Sequence, residues 1–222
     1  MLEDIKAVIF DLDGSLVDSM WVWESIDHMF IGEYELTVPK DFYKKMEGKG
    51  FTETAQYFLE SFPELDFTVD EIKEEWTRLA IDKYKKEVPL KEGAYEFLRS
   101  LHEKNIPVGI ATSNSRELVE TVVEARNISQ FIKVICTSCE VKAGKPSPDV
   151  YLKAASQLEV DPKNCFVFED VPMGILAGKN AGMTVCAVED EFSKDQREKK
   201  RELADYYIQN YNDIKNRTYE VL

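Results

Sequence analysis

The sequence predicts an α/β fold: a doubly wound parallel sheet with an all-helical domain inserted into it. Three observations predict this. Short apolar runs of strand length alternate with stretches of helical period, the signature of βαβ units whose strands are buried on both faces. Polar and acidic residues close several of those runs. One interval, between the first run and the second, is far longer than a crossover needs.

The strand candidates, in order, are KAVIFD (6–11), IPVGIATS (106–113), FIKVICT (131–137), NCFVFED (164–170), MTVCAV (183–188) and, more weakly, ADYYIQ (204–209). Helical spacing fills the gaps: Ala94, Phe97, Leu98 and Leu101 share one face, as do Tyr151, Ala154, Ala155 and Leu158. A helix is expected to begin near Ser115, another after Pro148, and a third at Pro172, where the missing N–H costs nothing.

Between the first two strands lie roughly ninety residues, so an insertion is required. Its sequence is rich in aromatic and charged residues, with helical stripes such as Met20, Trp23, Ile26 and Phe30, and a second helical stretch around TETAQYFLESF. We assign residues 1–15 and 90–222 to the α/β core and 16–89 to a helical domain hung on two chain crossings, with hinges near 15–17 and 88–93. The Lys/Glu-rich run 194–203 reads as a solvated helix face.

Composition narrows the function. With 222 residues, 44% hydrophobic, the chain has enough apolar surface for a substantial core. A formal net charge of −14 repels polyanions, so neither nucleic acid nor an anionic membrane surface is an expected partner, and an anionic substrate must be small and met by local positive charge. No run approaches a membrane span and the first residues, MLEDIK, lack a basic leader, so a cytoplasmic protein is expected, as a monomer. Cys165 and Cys186 fall in apolar runs, and Cys136 and Cys139 form a CxxC without companion ligands, so all four are expected to be ordinary thiols.

Ligands of a doubly wound sheet bind outside the carboxyl ends of the strands. There the first strand ends in Asp11 and Asp13, the second in Thr112, Ser113 and Asn114, and the fourth in Glu169 and Asp170. If those ends converge, four carboxylates share one small space, and their repulsion calls for a counter-charge. A hard divalent cation, Mg²⁺, suits an all-oxygen donor set. Lys145 adds a fixed positive charge, and the hydroxyl, amide and N–H groups of Thr112, Ser113 and Asn114, ahead of a helix N-terminus, describe a phosphate cradle.

These segments resemble the four motifs of the haloacid dehalogenase superfamily, in the helical-cap subgroup that includes β-phosphoglucomutase and phosphoglycolate phosphatase. DLDGSLVDS is similar to the first motif, with Ser15 where Thr is commoner; IATSN to the second; GKPSPDVY to the third; FEDVPMGILAGKNAGM to the fourth. They occur in the family's order across residues 11–182. One departure is Val171–Pro172 after the Glu-Asp pair, where a small residue is usual.

The resemblance implies a Mg²⁺-dependent phosphatase acting through an aspartyl phosphate. Asp11 would be the nucleophile and Asp13 the acid and base, its backbone carbonyl facing the metal. Glu169 and Asp170 would complete the metal shell with Asp11, while Lys145 and Thr112 hold the phosphoryl oxygens. The second aspartate, Asp13, separates this chain from the superfamily's dehalogenases, which generally lack it. The substrate implied is a small phosphorylated metabolite of sugar phosphate or phosphoglycolate type.

Three alternatives stand beside it. In β-phosphoglucomutase a cap His and Arg occupy places that fall by eye on Trp23 and Phe51 here. A phosphonatase would use a cap lysine, and Lys44, Lys45 and Lys49 are available. A silent binding module would be expected to have lost one of the motif residues, all of which are present. Trp21, Trp23, Tyr34, Phe42, Tyr43 and Phe51 are candidates for the cap entrance, although aromatic stripes more often build a core. His28 and His102 are read as structural or surface residues.

Overall fold

The computed structural model describes residues 1–2, 4–46 and 49–222. Seven strands form one sheet in the order β3-β2-β1-β4-β5-β6-β7. They are β1 (Ala7–Phe10), β2 (Val108–Thr112), β3 (Ile132–Thr137), β4 (Cys165–Glu169), β5 (Thr184–Val188), β6 (Tyr206–Ile208) and β7 (Glu220–Val221). All neighbouring pairs are parallel except β6 with β7. The six expected strands are present, each trimmed by one to three residues. The added β7 is two exposed residues long, too short to leave a pattern in sequence.

Helices α1 (Met20–Glu33), α2 (Phe42–Met46), α3 (Phe51–Ser61) and α4 (Val69–Lys86) occupy the interval between β1 and β2. The rest, α5 (Ala94–Glu103), α6 (Arg116–Ala125), α7 (Asp149–Leu158), α8 (Pro172–Asn180), α9 (Arg197–Leu203) and α10 (Asn212–Asn216), belong to the sheet layers. Local chemistry sets several starts. Thr68 and Glu71 close a reciprocal capping box on α4, Ser115 caps α6 by accepting from Leu118 N, and Pro172 opens α8.

Strand alternation divides the core. Val8, Phe10, Val108, Ile110, Phe166 and Phe168 face α5 and α6, in a cluster continuous with the interior of the helical insertion. Ala7, Ile9, Ala111, Val167 and Val185 face α7 and α8. Phe10 and Phe168 stack with ring centroids 5.1 Å apart, and burying each such side chain stabilises the fold by roughly 1.5–3 kcal/mol. Inside the insertion, Phe30, Phe42, Phe58, Phe62 and Trp76 form an aromatic core, with Phe58 and Trp76 edge to face at 5.3 Å.

The two chain crossings lie side by side: Val17 bridges to Leu90, Asp18 N donates to Pro89 O at 3.0 Å and Lys91 N to Leu16 O at 3.0 Å. We propose the boundaries of the insertion at 16 and 89, beside these crossings. The run 194–203 departs from its expectation. It splits into a 3-10 turn (Glu191–Gln196) and α9, and Lys200 is fully buried, donating to Val188 O at 3.2 Å and Ser193 Oγ at 2.9 Å. Because α9 packs against α8, one lysine of the run is turned inward. Among the described residues no helix is long and apolar enough to cross a membrane.

Candidate active site

The sheet order places the carboxyl ends of β2, β1 and β4 next to one another, in register Phe10↔Ile110 and Phe10↔Phe168. The chain runs from β1 toward β3 on one side and resumes at β4 on the other, so a topological switch point lies beside β1. Asp11, Thr112, Glu169 and Asp170 therefore converge without any long loop to carry them.

Asp11, Glu169 and Asp170 each present a carboxylate oxygen within 4.8 Å of the others, and all three are buried. Lys145, also buried, sits between two of them, with Nζ 2.6 Å from Asp11 Oδ1 and 2.5 Å from Glu169 Oε1. Glu169 is further held by Tyr151 OH at 2.7 Å and by the Asp170 N–H at 3.0 Å. Ser15 Oγ donates to Asp170 Oδ1 at 3.0 Å, and Ser193 Oγ to the Asp170 carbonyl at 2.8 Å. The turn after β1 is tight because Gly14 has φ +80°, and a Cβ there would come within 2.3 Å of Asp170 Oδ2.

Three carboxylates and one ammonium leave the cluster short of positive charge. Burial pushes the Asp11 carboxyl up to about 8 despite the pull of Lys145, with Glu169 and Asp13 adding to the rise. Burial, with Glu169 and Asp11 adding to it, raises Asp170 well above the usual carboxylate range. For Lys145 burial works the other way, but Asp11 and Glu169 outweigh it and hold the ammonium above the ordinary lysine range. A cation supplied from solution is what such a set of hard oxygen donors fits.

Asp13 corrects one expectation. Its carboxylate is not the fourth member of the cluster: it accepts from Ser19 Oγ at 2.6 Å, from Asn114 Nδ2 at 2.9 Å and from the Tyr84 hydroxyl. β1 ends at Phe10 and the chain bends at Leu12, so two-residue spacing no longer keeps both side chains on one face. Asn114 also donates to Tyr84 OH at 3.0 Å, and its N–H reaches Thr112 Oγ1 at 3.0 Å. The Ser113 carbonyl accepts from Phe51 N at 2.9 Å, tying the second strand end to the start of α3.

A cavity of about 1050 Å³ lies over these groups, with Asp11, Asp13, Thr112, Ser113, Asn114, Lys145 and Asp170 on its floor. Of the aromatic candidates, Trp23, Tyr43 and Phe51 line it, Phe42 belongs to the helical core, and Trp21 and Tyr34 lie elsewhere. Met20, Trp23 and Ile26 line the cavity while Phe30 is buried in the helical core, so α1 serves two surfaces. Lys44 and Lys49 line the cavity, and so does the exposed His28; His102 packs edge-on against Phe131. Four residues that sequence reasoning missed are Ser15, Tyr84, Tyr151 and Ser193. The only signal for Tyr84 was its inward place on a helical stripe. Cys136 is buried and Cys139 exposed, both as free thiols.

The chain is similar to a probable pseudouridine-5'-phosphatase of Drosophila melanogaster, 32% identical over 196 residues, covering 86% of this chain and 84% of that protein. It is also similar to hexitol phosphatase A of Escherichia coli (strain K12), 34% identical over 185 residues and 82% of each chain. Among solved structures, CbbY of Rhodobacter sphaeroides in complex with phosphate shares the fold, with a TM-score of 0.79, 22% identity, and coverage of 95% of this chain and 96% of that one. The family model described as haloacid dehalogenase-like hydrolase matches residues 8–188, and the chain belongs to that family.

Proposed function

We propose that this hydrolase cleaves phosphoric monoesters of small metabolites, of sugar phosphate type, through an aspartyl phosphate on Asp11. The observation that carries the reading is the buried contact of Lys145 with Asp11, 2.6 Å, beside a carboxylate trio within 4.8 Å. An aspartate can attack a phosphoryl group only if the phosphoryl charge is masked and the nucleophile is aimed. Lys145 holds Asp11 through Oδ1 and leaves Oδ2 without a partner among the described residues. Lys145, Thr112 and the loop through Ser113 and Asn114 surround the place where the phosphoryl oxygens would dock.

Asp11 and Asp170, with the main-chain carbonyl of Asp13, would hold Mg²⁺, and Glu169 would join directly or through water. When bound, such a cation neutralises the gathered carboxylates and polarises the phosphoryl oxygens. Glu169 is already occupied by Lys145 and Tyr151, so its first task here is to hold Lys145. Asp13 would protonate the leaving oxygen and later take a proton from the hydrolytic water. Its carboxylate lines the cavity floor, held there by Ser19, Tyr84 and Asn114. The names of the relatives, a pseudouridine-5'-phosphatase and a hexitol phosphatase, support a sugar-like leaving group. Trp23 and Phe51, the places compared with the mutases, present apolar rings 6.0 Å apart.

The test is Asp11→Asn assayed on p-nitrophenyl phosphate with Mg²⁺. Turnover should vanish while circular dichroism stays unchanged. A variant retaining most of its activity would refute the assignment.

A further inference from the structure

The cavity is much larger than a phosphoryl group, and two side chains that line it carry a buried polar atom without a partner among the described residues. Four buried side-chain polar atoms lack a hydrogen-bond partner among the described residues: Trp76 Nε1, Arg126 Nε, Gln196 Oε1 and Tyr207 OH. Two of these, on Trp76 and Gln196, belong to side chains that line this cavity, one from helix α4 and one from the segment after β5. Native proteins keep few such atoms, because each forfeits the hydrogen bond it had in water. Trp76 is only 4% exposed, so water does not compensate it. Asp27 on α1 lines the same cavity, half-buried, and makes no hydrogen bond or ion pair with a described residue.

We propose that this site selects an uncharged, polyhydroxylated leaving group, a sugar or sugar alcohol, and that Trp76, Gln196 and Asp27 are the residues that select it. The assignment rests on the phosphatase reading and deepens it. Trp76 offers an N–H that needs an acceptor, while Gln196 Oε1 and the Asp27 carboxylate need donors. A hydroxyl is both, so several on one carbon chain answer all three. A carboxylate would serve Trp76 but meet repulsion from Asp27. An ammonium would serve Asp27 and Gln196 but leave the indole N–H unpaired. Burial lifts the Asp27 carboxyl to about 6, against the pull of His28, which is the behaviour of a carboxylate without an adequate donor.

The cations of the cap do not reverse this preference. Lys44 is exposed, and the Lys49 ammonium is 5.7 Å from the centre of the Tyr57 ring. Apolar surface completes the fit: Trp23 and Phe51 on one side and Phe192, 43% exposed, on the other are suited to the C–H faces of a sugar. Trp76 Nε1 and Gln196 Oε1 are sheltered in this conformation, so a hydroxyl meets them once those side chains turn toward the cavity they line.

The experiment measures kcat/KM with Mg²⁺ on sorbitol 6-phosphate, phosphoglycolate, phosphoethanolamine and p-nitrophenyl phosphate for the full chain and for Trp76→Phe, Gln196→Leu and Asp27→Asn. Sorbitol 6-phosphate should exceed both charged esters by about 10-fold or more. Trp76→Phe, which keeps an aromatic ring and removes the N–H, should lower the ratio of sorbitol 6-phosphate to p-nitrophenyl phosphate by about 5–10-fold, as Gln196→Leu should. The melting temperature of Trp76→Phe is expected to fall modestly, because the smaller ring leaves space in the aromatic core, and the ratio between the two esters reads selection independently of that loss. Equal losses on both esters, an unchanged ratio, or a preference for the anionic or the cationic ester would overturn the proposal. Wild-type protein inert on every ester would remove the phosphatase reading as well, which separates the two failures.

Discussion

A Cβ on Gly174 would stand 1.8 Å from Glu169 Oε1 and 2.0 Å from its Cδ. The first turn of α8 thus lies directly against the carboxylate that holds Lys145. Glu169 has nowhere to retreat, because it is fully buried and bonded to Lys145, Tyr151 and the Asp170 N–H. Gly174→Ala is therefore expected to destabilise the protein by roughly 2–3 kcal/mol, as overpacking does. It should lower turnover of p-nitrophenyl phosphate by about 100-fold, since a displaced Glu169 misplaces Lys145. Urea unfolding and steady-state kinetics on one preparation would check both; a variant that matches wild type in either would contradict the packing.

Lys145 is the only ammonium or guanidinium within salt-bridge distance of Asp11 and Glu169 among the described residues. Lys145→Met keeps much of the volume and removes the charge, leaving two buried carboxylates facing each other. A loss of roughly 3–5 kcal/mol in unfolding free energy is expected, the usual result of orphaning a buried charge. Lys145→Arg should not restore activity, because a planar guanidinium cannot occupy the place of a compact ammonium between two carboxylates. Chemical denaturation and a phosphatase assay read the two effects independently.

The strands and the residues closing them were legible because burial on both faces leaves continuous apolar runs, and the chemistry follows at the point where a run stops. Asp11, Thr112, Glu169 and Asp170 are all of this kind, and sheet order alone brings them together. The orientation of Asp13 was not legible, since it depends on the bend at Leu12 and on Tyr84, which is 71 residues away. Lys200 was misread for a similar reason. A charged run specifies a surface helix on average, but the packing of α9 on α8 decides which lysine turns inward. The selection of Trp23 and Met20 for the cavity rather than the helical core likewise depends on how α1 is rotated, and a stripe of apolar residues leaves that rotation open.

Tyr84 connects the helical insertion to the acid and base. Its hydroxyl donates to Asp13 and accepts from Asn114, and the ring packs edge-on against Trp23 at 6.1 Å. Tyr84→Phe keeps the packing and removes the hydroxyl, so the loss in stability should be about 1 kcal/mol, the net worth of an ordinary hydrogen bond. Turnover should fall by roughly 10-fold with little change in KM, because Asp13 loses one of the groups that orients it. A larger change in KM than in kcat would show that Tyr84 acts on the substrate instead.

Asp27 yields a pH dependence whose sign can be worked out. Its carboxyl is raised by burial from the ordinary 3.8 to about 6 in the folded protein, with His28 opposing and Glu24 adding to the rise. Between those values the folded state binds the proton that the unfolded chain has released. The favourable contribution is therefore complete below about pH 4 and is lost as pH rises through about 6. After allowance for partial solvent screening, the change is on the order of 1 kcal/mol. Asp27→Asn should remove this slope and leave the protein more stable than wild type at pH 7.5, though not at pH 4. Urea unfolding of both proteins at the two pH values measures the difference directly. A variant less stable than wild type at pH 7.5 would mean that the carboxylate has a partner in the folded protein, and that its place on the cavity wall is structural.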